Sequence, residues 1–383
     1  MDIIDGYLIF ERNEQMKRLG WILVLLVAAS PAWAAKIVTV QQLKDMLVLM
    51  KQGKKTDNEV STLLKGIDLN EELTAAAKLS LLFMSPGPLT SEQLSVIEAR
   101  TSMLAPPPSD LPDLPTPDDA AQRAILDKAI GFATKNDQQI PRLTAMKAVA
   151  HYGHLNDFNR WGNGYGAQQG GLVRDRGDKR IMSLTSRYME TVEIDQGIEK
   201  ITTSTVDPHL RRISPTSEGG QRPALSLILR QADEGGNIRW LRWETINGTK
   251  TAVFSFTVDK RNALHVVDYC CFPTLRDIDV EWKPFKKTVG LHGELFIDPD
   301  TGTTLRIVMQ AELSPTDYVE QEDTRIDYGK ETIGGNGYVV PVGSFTQIYL
   351  DAAGDSPTKG TVMRRTILVA GYSNYLLAGT AQK

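Results

Sequence analysis

LHGELFIDPDTGTTLRIVMQA, Leu291 to Ala311, is the stretch whose reading decides the fold. Leu291, Leu295 and Ile297 fall on one face of an extended chain, and Leu305, Ile307, Met309 and Ala311 on one face of the next, because side chains alternate with a period of two in a strand. Between them Asp298-Pro299-Asp300-Thr301-Gly302 supplies a turn, with Pro presetting φ and Gly tolerating positive φ. The stretch predicts an antiparallel hairpin. Its Asp298–Gly302 segment also looks like the opening of a calcium loop, but the remaining oxygen ligands and the closing Glu are missing.

The same grammar extends in both directions. Upstream, Ala252, Phe254, Phe256 and Val258 face one way while Val253, Ser255 and Thr257 face the other. Tyr188, Glu190, Val192 and Ile194 alternate with Met189, Thr191 and Glu193. Downstream, Val362, Ile367 and Val369 belong to a last strand. Turn signals punctuate these runs at Asp195-Gln196-Gly197, Gly235-Gly236-Asn237, Asn247-Gly248 and Gly334-Gly335-Asn336-Gly337. Asn-Gly between alternating runs is the strongest short hairpin signal. Residues 183–383 therefore predict a curved, meandering antiparallel β-sheet, a half-barrel of roughly nine to eleven strands.

Before it, the period is that of a helix. Val40, Leu43, Met46, Leu47 and Met50 make one apolar stripe, ended at Gly53. Thr56 with Glu59 forms a capping box for Val60, Leu63 and Leu64. Leu73–Met84 is a third helix, stopped by Pro86-Gly87-Pro88, and Thr90 with Gln93 is read as the cap of a fourth. Residues 35–104 thus predict a small helical region and the whole chain an α+β fold. Residues 105–119 hold six prolines, an extended spacer without helix. Residues 120–182 are read as a helix, opened by Asp118 or Asp119, and a Gly-rich loop (Gly162–Gly171) leading into the sheet.

At the N-terminal end, Lys17 and Arg18 precede the apolar run Ile22–Ala29 and the small-x-small site Ala32-Trp33-Ala34, the pattern of a secretion signal cleaved after Ala34. The acidic residues before Met16 stand in the wrong order for such a signal, which is explained by a misplaced start. The expected location is the periplasm or cell envelope. No later apolar run approaches 18 residues, so no stable membrane span is expected. The net charge of −4 gives no basic field for nucleic acid. Cys270 and Cys271 are adjacent and provide no disulfide framework.

Candidate chemistry is sparse. His151 and His154 lie three apart without a third ligand, so they are read as loop histidines, and no metal or other cofactor is expected. No nucleophile elbow, zincin or Ser-x-x-Lys motif is present, so the expectation is a non-enzyme. Trp240 and Trp243 are read as lying on opposite faces of one strand. The apolar residues Trp240, Phe254, Phe256, Leu291, Leu295, Leu305, Ile307 and Met309 form the candidate face for a hydrophobic ligand.

Residues 185–375 resemble the half-barrel superfamily of bacterial envelope proteins, which includes the outer-membrane lipoprotein carriers and the regulatory sigma-factor-binding periplasmic proteins. The likeness rests on Gly293–Ile307, a strand, an Asp298–Gly302 turn and a strand bearing Arg306. It is supported by Ile326-Asp327-Tyr328-Gly329 and by Tyr338–Pro341. The chain is also similar to secreted proteins that join a helical region to such a sheet. The resemblance implies a concave face, closed by helices, that holds an acyl chain or peptide segment. The expected function is binding of a hydrophobic small molecule or lipidated protein. A periplasmic protein-interaction scaffold or stress-sensing module is the alternative, and a hydrolase the third reading.

Overall fold

The computed structural model describes residues 36–153, 183–205, 224–235, 237–276, 279–314, 316–350 and 364–379, with the backbone alone for 183, 270–276, 279–283 and 364. The stretch read as a secretion signal, His154, the Gly162–Gly171 stretch and the side chains of Cys270 and Cys271 lie outside the described residues.

Helices α1 (Val40–Gln52), α2 (Asp57–Lys65), α3 (Ala75–Leu82) and α4 (Pro88–Thr101) form the helical region. Their apolar stripes close a core of Leu43, Leu47, Val60, Leu64, Leu73, Leu81, Leu94 and Ile97. Thr39 and Thr56 each sit in a full capping box. Short parallel strands β1 (Lys36–Val38) and β2 (Ile67–Leu69) tie the start of the region to the segment between α2 and α3. Thr90 is not the cap predicted for α4. Gly87 occupies that position, and the Asp57 carboxylate accepts hydrogen bonds from the N–H groups of Leu89 (2.9 Å) and Thr90 (2.8 Å). A neighbouring helix thus supplies the anion that a helix N-terminus favours, and against desolvation the Thr90 hydroxyl, donating to the same carboxylate (2.6 Å), joins these N–H groups in holding the Asp57 carboxyl below its ordinary range.

The sheet follows as strands β3 (Leu143–Gly153), β4 (Ser183–Asp195), β5 (Ile198–Ser204), β6 (Ile238–Ile246), β7 (Thr249–Val258), β10 (Leu291–Ile297), β11 (Thr304–Ala311), β12 (Val319–Ile333), β13 (Asn336–Leu350) and β14 (Arg364–Leu377). Its ten strands run in the order β5-β4-β3-β14-β13-β12-β11-β10-β7-β6, every neighbour antiparallel, with β5 and β6 as open edges. The α+β class and curved open sheet are as the alternation predicts. Strand β3 begins at Leu143, within the stretch read as helix and loop, because Met146, Ala148 and Ala150 leave both of its faces apolar. A separate hairpin of β8 (Val266–Arg276) and β9 (Asp279–Thr288) packs Val267 and Tyr269 against Ala311, Val319 and Ile348 of the sheet.

Three layers result. The long helix α5 (Asp119–Gln139), capped by Asp118, and the short α6 (Leu225–Glu234) cover one face of the sheet. The helical region covers part of the other, through Val96 and Ala99 of α4 against Tyr152 and Ile367. The proline-rich segment is fastened along the way. Pro106 and Pro107 are buried, the Thr74 hydroxyl donates to Asp110 (2.7 Å), and the Trp243 indole N–H donates to the Pro115 carbonyl (2.8 Å).

Candidate functional site

The candidate face is built by β6, β7, β10 and β11. Phe254, Phe256, Leu291, Leu295, Ile307 and Met309 stand in one cluster with Ile125, Leu126, Ala129 and Ala133 of α5 and Ile228, Leu229 and Ala232 of α6. Phe254 and Leu295 are fully buried. Trp240 is partly buried against the same cluster, edge-on to Phe254 at 5.4 Å. Seven of the eight candidate residues therefore share one surface, and two helices roof it.

Two β-bulges alter the reading. The register runs Trp240↔Phe254 and then Arg242↔Val253, so Leu241 is the extra residue. A bulge inserts one residue and resets the side-chain phase, which brings Trp243 to the same face as Trp240, their rings 4.9 Å apart. They are not on opposite faces. Likewise Phe296 pairs with Arg306 and Ile297 with Thr304, which makes Leu305 the extra residue. Leu305 therefore packs with Val253, Phe296 and Val308 on the other side of the sheet, and Thr304 takes its place on the candidate face.

A cleft of about 50 Å³ continues this interface towards the C-terminal half of α5. Phe132, Ala133, Asn136, Asp137 and Ile140 of α5 form one wall, with Leu225, Ile194, Gly197, Glu199, Thr304, Ile326, Tyr328 and Val339–Pro341 around it. Asn136 clamps α5 to β13, donating to the Val339 carbonyl (3.0 Å) and accepting from its N–H (3.1 Å). Asp137 accepts from the Ser226 N–H (3.0 Å) at the start of α6, and burial pushes its carboxyl up despite that bond. Gly197, at φ +78°, lets the β4–β5 turn come close, since a Cβ there would stand 3.2 Å from Asp137 Oδ1. Such a cleft has room for a few waters, whereas sites for drug-sized ligands measure about 300–1,000 Å³.

Glu199 links the cleft to a buried ionic group that alternation does not reveal. Its Oε1 lies 3.1 Å from Lys147 Nζ, and its Oε2 accepts from the Tyr372 hydroxyl at 2.8 Å. Lys147 is fully buried on β3, with Glu190 3.7 Å away. A sequence signal exists in Leu143, Ala145, Lys147 and Val149, a period-two run with a cation at an inward position. His151 continues the same face and is 3% exposed, not a solvated loop residue. Desolvation pushes its imidazole down to about 4. Among the described residues, no three His, Cys, Asp or Glu side chains converge as a metal site would require.

The opposite face sets buried ion pairs beside its apolar clusters. Arg306 donates to Asp327 (2.6 Å) and faces Glu72 (3.4 Å), while Arg325 pairs with Asp327 (2.9 Å) and lies 3.9 Å from both Glu72 and Glu98. Glu72 and Glu98 belong to the helical region, so these buried pairs seat it on the sheet. Arg242 adds a bidentate pair with Glu294 (2.6 and 3.0 Å).

The architecture is that of an open antiparallel sheet with one helix-roofed apolar face. It is similar to a DUF1329 family protein from Desulfovibrio piger, at 10% identity and a TM-score of 0.26 over 68% of this chain and 94% of that one. It is also similar to a LolA superfamily protein from Nitrosomonas europaea, at 11% identity and a TM-score of 0.24 over the same shares. No family model and no curated protein matches the chain.

Proposed function

We propose that this chain is an exported envelope protein that binds an apolar ligand, a single acyl chain or the lipid of a modified partner, between the sheet and α6, and that it performs no catalysis. Export rests on the Lys17–Ala34 pattern. The observation that carries the binding reading is a continuous apolar surface roofed by a ten-residue helix with a cleft at its side. A helix of that length is not stable alone. Sheet contacts through Ile228 and Leu229 and the half-exposed Arg123–Asp233 pair hold it down.

Magnitudes select the mode of opening. Stripping α6 from the sheet exposes two large side chains and Ala232, about 5 kcal/mol. A buried 16-carbon chain returns about 12 kcal/mol gross, from which ordering and association subtract several more. Complete removal of α6 leaves little affinity. A shift that re-packs α6 over the ligand leaves enough for micromolar binding.

The test is tryptophan quenching by a brominated 16-carbon acyl chain, since Trp240 and Trp243 adjoin the proposed path. Saturable quenching that disappears in W240F/W243F supports the reading. Absence of saturable quenching in protein with an intact circular dichroism spectrum overturns it. The closed face then favours the protein-interaction reading.

A further inference from the structure

We propose that the cleft selects ligands whose polar end is an uncharged hydroxyl, a long-chain alcohol or hydroxyl-headed lipid, over those ending in a carboxylate or an ammonium. This rests on the binding reading above and specifies its ligand. The inference follows from what the cleft presents to a polar group. Asp137 and Glu199 both line it, and Lys147, the cation nearest Glu199, is already shared with Glu190. Another carboxylate arriving there meets two of its own sign in a desolvated space, which is destabilising. An ammonium would lose its hydration on entering.

Thr304 supplies the second, independent observation. It lines the cleft, it is 1% exposed, and its hydroxyl has no hydrogen-bond partner. Buried polar groups are as a rule paired, so this hydroxyl marks a place where a partner fits. Its presence there is a consequence of the bulge at Leu305, which turns Thr304 inward. Its neighbours in the lining are mostly committed: Asn136 to Val339 and Asp137 Oδ2 to Ser226. A ligand hydroxyl both accepts from Thr304 and donates to a carboxylate, satisfying both with one atom. A carboxylate can accept from Thr304 but has no proton to donate to Asp137 or Glu199, and an ammonium, which can donate to all three, does so only by giving up its hydration.

The experiment compares 1-hexadecanol, palmitate and hexadecylamine at neutral pH as competitors of the brominated chain on the full-length protein. Hexadecanol is expected to bind at least tenfold more tightly than either ion. Thr304→Val, which keeps the branched shape, should cost hexadecanol about fivefold to tenfold and leave palmitate unchanged. Asp137→Asn keeps an acceptor for the Ser226 N–H and should raise palmitate affinity towards that of the alcohol. Palmitate or hexadecylamine binding as tightly as hexadecanol overturns the selectivity while the binding reading stands. An equal loss for all three ligands in T304V overturns it also. No competition by any of the three, with no quenching by the brominated chain, overturns both.

Discussion

Replacing Gly302 with Ala separates two costs that a turn glycine ordinarily combines. Gly302 has φ +76°, and a Cβ on it would lie 2.7 Å from the Lys128 carbonyl oxygen and 2.8 Å from its carbonyl carbon. Lys128 lies within α5, so the helical hydrogen-bond ladder prevents that carbonyl from swinging away. The turn must instead retreat from the helix. That weakens the bonds from Lys128 Nζ to the carbonyls of Pro299 (2.9 Å) and Asp300 (3.1 Å) and loosens Ile125, Leu126 and Ala129 on the sheet. Gly248 is the internal control, with φ +81° and nothing within 4 Å of its added Cβ. The left-handed backbone alone costs an alanine about 1–2 kcal/mol. G248A should therefore lose about 1 kcal/mol, and G302A about 3 kcal/mol once the lost contacts are added. Urea denaturation with unchanged m-values measures both. Equal losses in the two variants would refute the claim that this turn seats α5.

Two further outcomes follow from buried charges. Burial between the helical region and the sheet raises the Glu72 carboxyl from 4.5 to about 7, although Arg306 and Arg325 oppose the shift. The folded state then holds the extra proton between those values, so Glu72 subtracts stability as pH rises through that window, and the loss is complete above it. Between pH 4.5 and 8 the stability of E72Q should gain on wild type by on the order of 3 kcal/mol; a difference that stays constant with pH contradicts the assignment. Lys147→Met removes the buried cation facing Glu190 and Glu199 and should cost about 3–5 kcal/mol, with part restored by adding Glu199→Gln. A loss below about 1 kcal/mol in thermal or urea unfolding argues against that pairing.

The strands and the first helices were legible because one physical signal, apolar periodicity, governs each of them. Phe254 and Phe256, or Leu43 and Leu47, have no reason to repeat at that spacing except a buried face. The bulges at Leu241 and Leu305 were not legible. An extra residue leaves composition unchanged and shows itself only in pairing with another strand, so it moved Trp243 and Leu305 to faces opposite those the alternation gave. Strand β3 escaped because Lys147 interrupts the apolar run of Leu143, Ala145 and Val149 while Met146, Ala148 and Ala150 add apolar residues on its other face. The roof was half visible: α5 carries a stripe at Ile125, Leu126, Ala129 and Ala133, but which sheet face it covers depends on contacts distant in sequence. The site's polar residues, Asp137, Glu199 and Thr304, come from three separate elements and share no spacing.

The position of β14 bears on how the chain assembles. It lies between β3 and β13, with Ile367 paired to Tyr152 and Gln347 to Ile367. The hairpins β3–β4–β5 and the meander from β6 to β13 are each built from local pairings, yet no strand pairing joins them until the final strand inserts. Closing that junction spans on the order of 200 residues, a large but slowly growing entropic cost. Such non-local pairing folds slowly. A chain lacking residues beyond 350 would hold two half-sheets, each ending in a long unpaired strand edge, the kind of surface on which other chains add strands. The last-made strand is thus the keystone of the sheet, and truncation there should produce aggregation instead of a smaller folded protein.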